Sequence, residues 1–178
     1  KVWVYLWLLS GKNRIVNGKL YDIYKERRVA KYYTALVVGH VKRSKGLWRD
    51  YLKRTKRDFQ HRSIVVSQED PYGEFAESEY RVKEYYGNYT LLELKLNTGR
   101  MHQIRIQAAS RGYPVVGDKV YGNEEDNKKW KKVLKRQFLH ASTLYVLHPM
   151  TGKPLKIEAP LTADLQKAID WLNQTKDK

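Results

Sequence analysis

The stretch AESEYRVKEYYGNYTLLELKLNTG, Ala76 to Gly99, constrains the fold more than any other part of this chain. Two β-rich runs, AESEYRVKEYY and YTLLELKLNTG, flank Gly87-Asn88, and such a pair between two strand-like runs predicts a tight hairpin. A lone hairpin is marginal in water, so further strands or helices must cover its apolar side. The sequence offers them. Val2–Leu9 (VWVYLWLL), KYYTALVVGHV ending at Gly39, and RSIVVSQ are strand candidates, with EDPYGE as a turn. FLHASTLYVLHPMTGKPLKIEAP predicts a second hairpin that turns at Met150 to Lys153. Helical spacing is found in GKLYDIYKERRVAK (Leu20, Ile23, Tyr24, Arg27), in RMHQIRIQAASRG up to Gly112, and in TADLQKAIDWLNQ. In the last of these Thr162 is the expected N-cap, and Leu165, Ile169 and Leu172 the buried face. Strands outnumber helices and hairpins dominate, so the expected class is α+β with a mainly antiparallel sheet.

A chain of 178 residues, 42% hydrophobic and 30% charged, suits a single globular domain with a real core. No apolar run approaches the roughly 20 residues of a membrane span. The absence of cysteine excludes disulfides, thiolate metal sites and thiol catalysis. A net charge of +16 calls for a polyanionic partner, with nucleic acid first and an anionic membrane second. The charge is clustered. Val41–Arg62 carries nine Lys/Arg and two Asp, and reads as a basic insertion without regular structure. Its aromatic residues, Trp48 and Tyr51, are expected to anchor it to the core rather than to meet solvent. Asn127–Gln137 carries six more basic residues and no acid, with Trp130, Val133 and Leu134 at helical spacing so that an apolar side can dock.

The chemistry-bearing stretch is LNTGRMHQIRIQAASRGYPVVGDKVYG, Leu96 to Gly122. A glycine turn ends a strand, and Arg100, His102, Gln103 and Arg105 follow on a short piece of backbone. Arginine presents a planar fork of donors suited to phosphate or carboxylate, so this cluster predicts a polar pocket at a sheet rim. The five histidines, His40, His61, His102, His140 and His148, show no metal-ligand spacing. Neither a P-loop nor a dinucleotide fingerprint is present. No metal and no cofactor are expected.

The combined pattern L-x-L-x-TGR-x-HQIR followed by G-x-P-x-x-GD-x-x-YG resembles the RluA-type pseudouridine synthases, which isomerise uridines in structured RNA. KYYTALVVGH resembles that family's lysine-x-tyrosine strand, AESEYRV the strand before the arginine motif, and FLHASTLYVLHPMTGKPLKIEAPL its closing hairpin. The resemblance runs from Lys12 to Leu161. It implies a pseudouridine synthase fold, a mixed, mainly antiparallel sheet flanked by helices and loops, with an RNA-binding cleft across it. It implies that Tyr33 stacks on the target base, that Arg105 pairs with a catalytic aspartate, and that Ile104 and Leu96 shape an apolar floor. Lys31, Arg100, His102 and Gln103 are then RNA-facing. Arg49, Lys53, Arg54, Lys56 and Arg57 of the insertion, with Lys128, Lys129, Lys131 and Lys132, are the expected RNA contacts outside the cleft.

The family's aspartate lies about thirty-two residues ahead of the matching tyrosine, in a histidine-arginine-leucine-aspartate stretch. Counted back from Tyr33, that position falls on Lys1, and VWVYL lacks the expected threonine-serine-glycine turn. Asp22, Asp50 and Asp58 read as surface charges, and Asp118 as a turn residue bonding the backbone. The expectation is a single domain over 1–178, N-terminally incomplete or degenerate. It would bind ribosomal RNA without catalysing isomerisation, as a ribosome component or assembly factor alongside ribosomal proteins. A mitochondrial ribosome is the attractive setting by analogy. The competing expectation is an active synthase whose aspartate lies upstream of Lys1. A membrane-surface or general polyanion binder is not supported by the placement of the charges.

Overall fold

The computed structural model describes residues 17–18, 22–23, 29–57 and 60–176. The strand expected over Val2–Leu9 and the position of Lys1 lie outside them. So does most of the helix expected in GKLYDIYKERRVAK, of which Gly18, Asp22 and Ile23 are described and helical, while its last three residues belong to the first strand.

Seven strands form one sheet: β1 (Val29–Val38), β2 (Lys45–Arg57), β3 (Gln60–Val66), β4 (Glu74–Tyr86), β5 (Tyr89–Leu96), β6 (Leu139–Leu147) and β7 (Pro154–Glu158). The helices are α1 (Gln103–Ser110), α2 (Glu124–Trp130) and α3 (Ala163–Lys176). The spatial order is β3-β2-β4-β5-β1-β6-β7, and every neighbouring pair is antiparallel. The α+β class with a mainly antiparallel sheet is therefore correct, and among the described residues no parallel pair accompanies it. The β4–β5 hairpin turns at Gly87-Asn88, as its sequence predicts.

Strand β1 holds the middle of the fold. Its run Ala35-Leu36-Val37 is fully buried because both faces of the sheet are covered there. On one face Ala35 and Val37 join Trp48, Leu92, Leu94, Ile104, Ala108 and Val115 in a core beneath α1. On the other, Leu36 joins Trp130, Leu134, Phe138, Leu165 and Leu172 beneath α3 and the end of α2. The apolar side of NKKWKKVLKRQ docks as its spacing predicts, with Trp130 fully buried and Leu134 nearly so. Helix α3 buries Leu165, Ile169 and Leu172.

The basic insertion is corrected. Lys45–Arg57 is a regular thirteen-residue strand paired on both sides, with β3 and β4. Its apolar residues fall at Leu47-Trp48 and Tyr51-Leu52, a spacing of four that hides the two-residue alternation. The charges between them suit an outer hairpin, where they also discourage pairing with other chains. Trp48 is buried at 4% exposure and anchors the strand to the core, as expected.

Leu36→Ala should cost about 2–5 kcal/mol, the usual range for emptying a packed leucine site. Leu47, 47% exposed on the same sheet, should cost well under about 1 kcal/mol when changed to alanine. Equilibrium denaturation of both variants checks the ranking.

Candidate functional site

The polar cluster forms because α1 is bonded to the sheet through glutamines. Gln103 is 2% exposed. Its Oε1 accepts from Thr98 Oγ1 at 2.8 Å and from the Arg100 N–H at 2.9 Å. Its Nε2 donates to the Glu77 carbonyl at 3.0 Å and to Ser78 Oγ at 2.9 Å. One turn later Gln107, fully buried, accepts from Ser78 Oγ and donates to Asp50 at 2.8 Å and to the Trp48 and Ala76 carbonyls. Gln103 is thus a bracket between β4 and α1, and its expected role as an RNA contact is overturned. Gln107 and Asp50 escaped the sequence reading. Asp50 is no surface charge, since it holds Arg111 at 2.9 Å as well as Gln107.

His102 precedes α1 in the left-handed region at φ 55°, an uncommon conformation for a residue with a side chain. Its Nδ1 lies 3.1 Å from the Tyr121 hydroxyl. That hydroxyl accepts the Ser63 N–H at 2.7 Å, and Ser63 Oγ donates to the Met101 carbonyl. Strand β3 is thereby bonded to the arginine motif. Burial, and then the Arg105 charge, lower the His102 imidazole below its ordinary 6.5, so it is neutral at pH 7.

Arg105 donates from Nε to Asp118 Oδ2 at 2.6 Å and from Nη2 to Oδ1 at 2.7 Å. The Arg105 side chain is 11% exposed and that of Asp118 is fully buried. Its guanidinium also lies 5.1 Å from the centre of the Tyr121 ring. Asp118 Oδ1 accepts from the Val120 and Tyr121 N–H groups as well. The turn residue therefore does the expected backbone bonding. It is also the carboxylate that Arg105 bonds among the described residues, whereas the resemblance pairs Arg105 with a catalytic aspartate whose counted position, Lys1, lies outside them. Burial pushes the Asp118 carboxyl up, but the Arg105 bonds and the Val120 N–H outweigh it and hold the group below its ordinary value. The turn needs Gly117 (φ 74°), where a Cβ would run into the Arg136 carbonyl.

Tyr33, Leu96 and Leu139 pack against the buried cluster that contains Ile104, so the expected floor residues share one apolar surface. Lys31 and Arg100 line a cleft of about 710 Å³ at the end of β1, β5, β6 and β7. Burial lowers the Lys31 pKa. Arg100 is spoken for within the protein, bonding Glu74 at 2.6 Å and the Phe75 carbonyl at 3.0 Å.

Strand alternation divides the expected basic contacts. Arg54 and Lys56 pair in register with Ser63 and His61, on the sheet face that carries Tyr121 and α1, and both are exposed. Arg49 and Lys53 fall on the opposite face, bonded to Glu77 at 2.6 Å and Asp70 at 3.1 Å. Those two thus stand apart from the Tyr121 side of the sheet, each paired with an acid of its own face. Arg57 lies in the strand, and its side chain is outside the described set. Lys128, Lys129, Lys131 and Lys132 are exposed, the first two beside Glu124 and Asp126. Among the described residues no three His, Cys, Asp or Glu side chains gather where a metal ion could bind.

An arginine motif locked to a glycine-aspartate turn over a sheet of this order can be compared with known proteins. The family model for RNA pseudouridylate synthases matches residues 7–110. The chain belongs to the RluA-type pseudouridine synthases. It is 41% identical over 153 residues to an uncharacterized RNA pseudouridine synthase of Chloroflexus aurantiacus, covering 86% of this chain and 45% of that protein. It is 32% identical over 169 residues to ribosomal large subunit pseudouridine synthase C of Vibrio cholerae, covering 94% and 51%. The chain thus spans about half the length of these relatives. Among solved structures, human RNA pseudouridylate synthase domain containing 1 superposes with a TM-score of 0.71 at 26% identity, over 91% of this chain and 73% of that one. This pseudouridine synthase sheet is the one the family resemblance implied.

The Asp118 and His102 shifts set a pH dependence. Both groups are lowered in the folded state, so each contributes stability above its unfolded value and loses it as pH falls. Unfolding free energy should decline from pH 7 downward, His102 contributing first, below 6.5, and Asp118 later, below 3.8. Asp118→Asn should cost about 3–5 kcal/mol at pH 7, because the Arg105 charge is left uncompensated. It should also flatten the acid limb below about pH 4 while the His102 limb persists. Urea titrations across pH decide it, and an unchanged acid limb in Asp118→Asn would sink the assignment.

Proposed function

We propose that this chain holds a uridine of structured ribosomal RNA in a pseudouridine-synthase cleft, and that the chain by itself does not isomerise it. The observation that carries this reading is the burial of Asp118 within its bonds to Arg105 and to its own turn. Its Oδ1 accepts from Arg105 Nη2 and from the Val120 and Tyr121 N–H groups, its Oδ2 accepts from Arg105 Nε, and the side chain is fully buried. It orients Arg105 and has no exposure through which to attack a sugar or base. The family membership and the ribosomal RNA synthases among the relatives support RNA as the partner. A chain that binds and does not react would act as a ribosome component or assembly factor.

One observation favours the second reading, an active synthase. The described bonds of Arg105 use Nε and Nη2, so Asp118 does not engage Nη1. A second carboxylate brought to Nη1 would complete the arginine–aspartate pair that the family resemblance implies.

The experiment is a pseudouridine assay on ribosomal RNA and on a tRNA pool, with RNA binding measured in parallel. The expected result is binding without pseudouridine. Detectable isomerisation, even slow, would establish the second reading. Tyr33→Phe should retain binding, whereas Tyr33→Ala should weaken it about 5- to 100-fold, the loss of one stacked base at about 1–3 kcal/mol. Equal binding by both variants would place Tyr33 in the core alone.

Arg54→Ala/Lys56→Ala should lower the slope of log affinity against log salt by about 0.7 to 0.9 per lost phosphate contact. Arg49→Ala/Lys53→Ala removes the same charge from the other face and should change the slope less. Equal slopes would place the RNA on both faces.

A further inference from the structure

The outer side of the Gly117-Asp118 turn faces a second hollow of about 460 Å³, separate in its lining residues from the cleft at the end of β1. Lys119, Lys128, Lys131 and Lys135 line it, with Asn127 and Leu134. We propose that this hollow binds a backbone phosphate of the RNA whose uridine occupies the cleft, an assignment that rests on the RNA-binding reading above.

Charge makes the first argument. Four lysines line one concavity, and among its described lining residues Glu124 is the one acid. Glu124 lies 3.4 Å from Lys128 with both side chains largely in solvent, an arrangement that contributes little. Like charges so gathered repel one another until an anion enters, and compact ammonium groups suit phosphate as point charges.

Rigidity makes the second. The lysines sit on a segment fixed from behind by Trp130, fully buried against Tyr89 and Trp171, and by Leu134. Their backbone is already placed, so less ordering accompanies binding.

Position makes the third. Asn127 Nδ2 donates to the Asp118 carbonyl at 2.9 Å. The same turn thus presents Asp118 inward to Arg105 and Lys119 outward to the hollow. A phosphate held there is fixed relative to the arginine, which places one strand of the RNA with respect to the base site.

The segment contains its own control. Lys129 and Lys132 are exposed on the same short stretch and do not line the hollow. Lys131→Ala/Lys135→Ala and Lys129→Ala/Lys132→Ala remove equal charge from neighbouring positions. Affinity for a labelled stem-loop RNA of ribosomal sequence would be measured across a salt series, with melting curves to show that both variants fold. The first pair should lower the log–log slope by about 0.7 to 0.9, one phosphate contact, and the second by less than half of that. Equal effects would mean a diffuse field and overturn the site, as would no effect from the first pair. If the unaltered chain fails to bind the RNA, the reading under Proposed function falls and this one with it.

Discussion

The buried pair of Arg105 and Asp118 is the interaction around which the functional end of this protein is built. Removing two charges from water costs several kcal/mol per ion, and their attraction offsets this only when the geometry is good and the remaining polar atoms are satisfied. Both conditions are met. The guanidinium engages both carboxylate oxygens, and the Val120 and Tyr121 N–H groups add two more bonds to Oδ1. The neighbours follow from that demand. Gly117 lets the turn close against Arg136, Tyr121 places its ring against the guanidinium, and Ser63 ties the outer hairpin to the Tyr121 hydroxyl. The pair is thus a packing constraint on four separate segments, and the fixed orientation of Arg105 is its consequence.

A second constraint explains why α1 is polar on its inner face. Gln103 and Gln107 bury as completely as the leucines of the core. A leucine at either position would fill the space but strand polar groups. The Glu77 carbonyl would lose the Gln103 amide, and the Asp50 carboxylate would lose the Gln107 amide. A buried group left unpaired costs about 1–3 kcal/mol. The amides also fix rotation and register: Gln103 donates to β4 and accepts from the turn at Thr98 and Arg100, and Gln107 accepts from β4 and donates to β2 and β4. An apolar helix would slide more freely. His102, held at φ 55°, is the residue whose backbone turns the chain from the rim of β5 into this helix.

Much of the sheet was legible because its signals are local. Gly87-Asn88 marks a turn between alternating runs, and Leu165, Ile169 and Leu172 repeat at helical spacing. The arginine motif was legible as a motif, and its spacing to GD-x-x-YG carried the family. What the sequence could not show is which partner each polar residue would choose. Arg105 was matched to a distant aspartate, and the structure bonds it to one thirteen positions later. Gln103 was placed toward RNA by the polar cluster and the family resemblance. Its burial depends on the Glu77 carbonyl and the Ser78 hydroxyl of β4, twenty-six and twenty-five positions away. Strand β2 was missed for a different reason, since it is charged on both faces near its end and its buried residues lie four apart.

Net charge is a property of the chain, but an RNA meets a surface, and the sheet converts one into the other. On the face away from α1, opposite charges stand directly across from each other on paired strands. Arg49 faces Glu77, Lys95 faces Glu79, and Arg81 faces Glu93. Such pairs contribute modestly to the sheet, roughly 0.2–1 kcal/mol each, and together they cancel three positive charges against three negative ones. The end of α2 packs over this same face, so the sheet does not divide the +16 into a neutral and a basic side. Arg54 and Lys56 beside Tyr121, and the lysines around α2, lie on either side of the turn that holds Arg105. A basic field arranged in this way would draw a polyanion toward the arginine before any contact forms. The alternation of side chains along β2 and β4 thus decides which charges are cancelled across the sheet as well as which residues are buried.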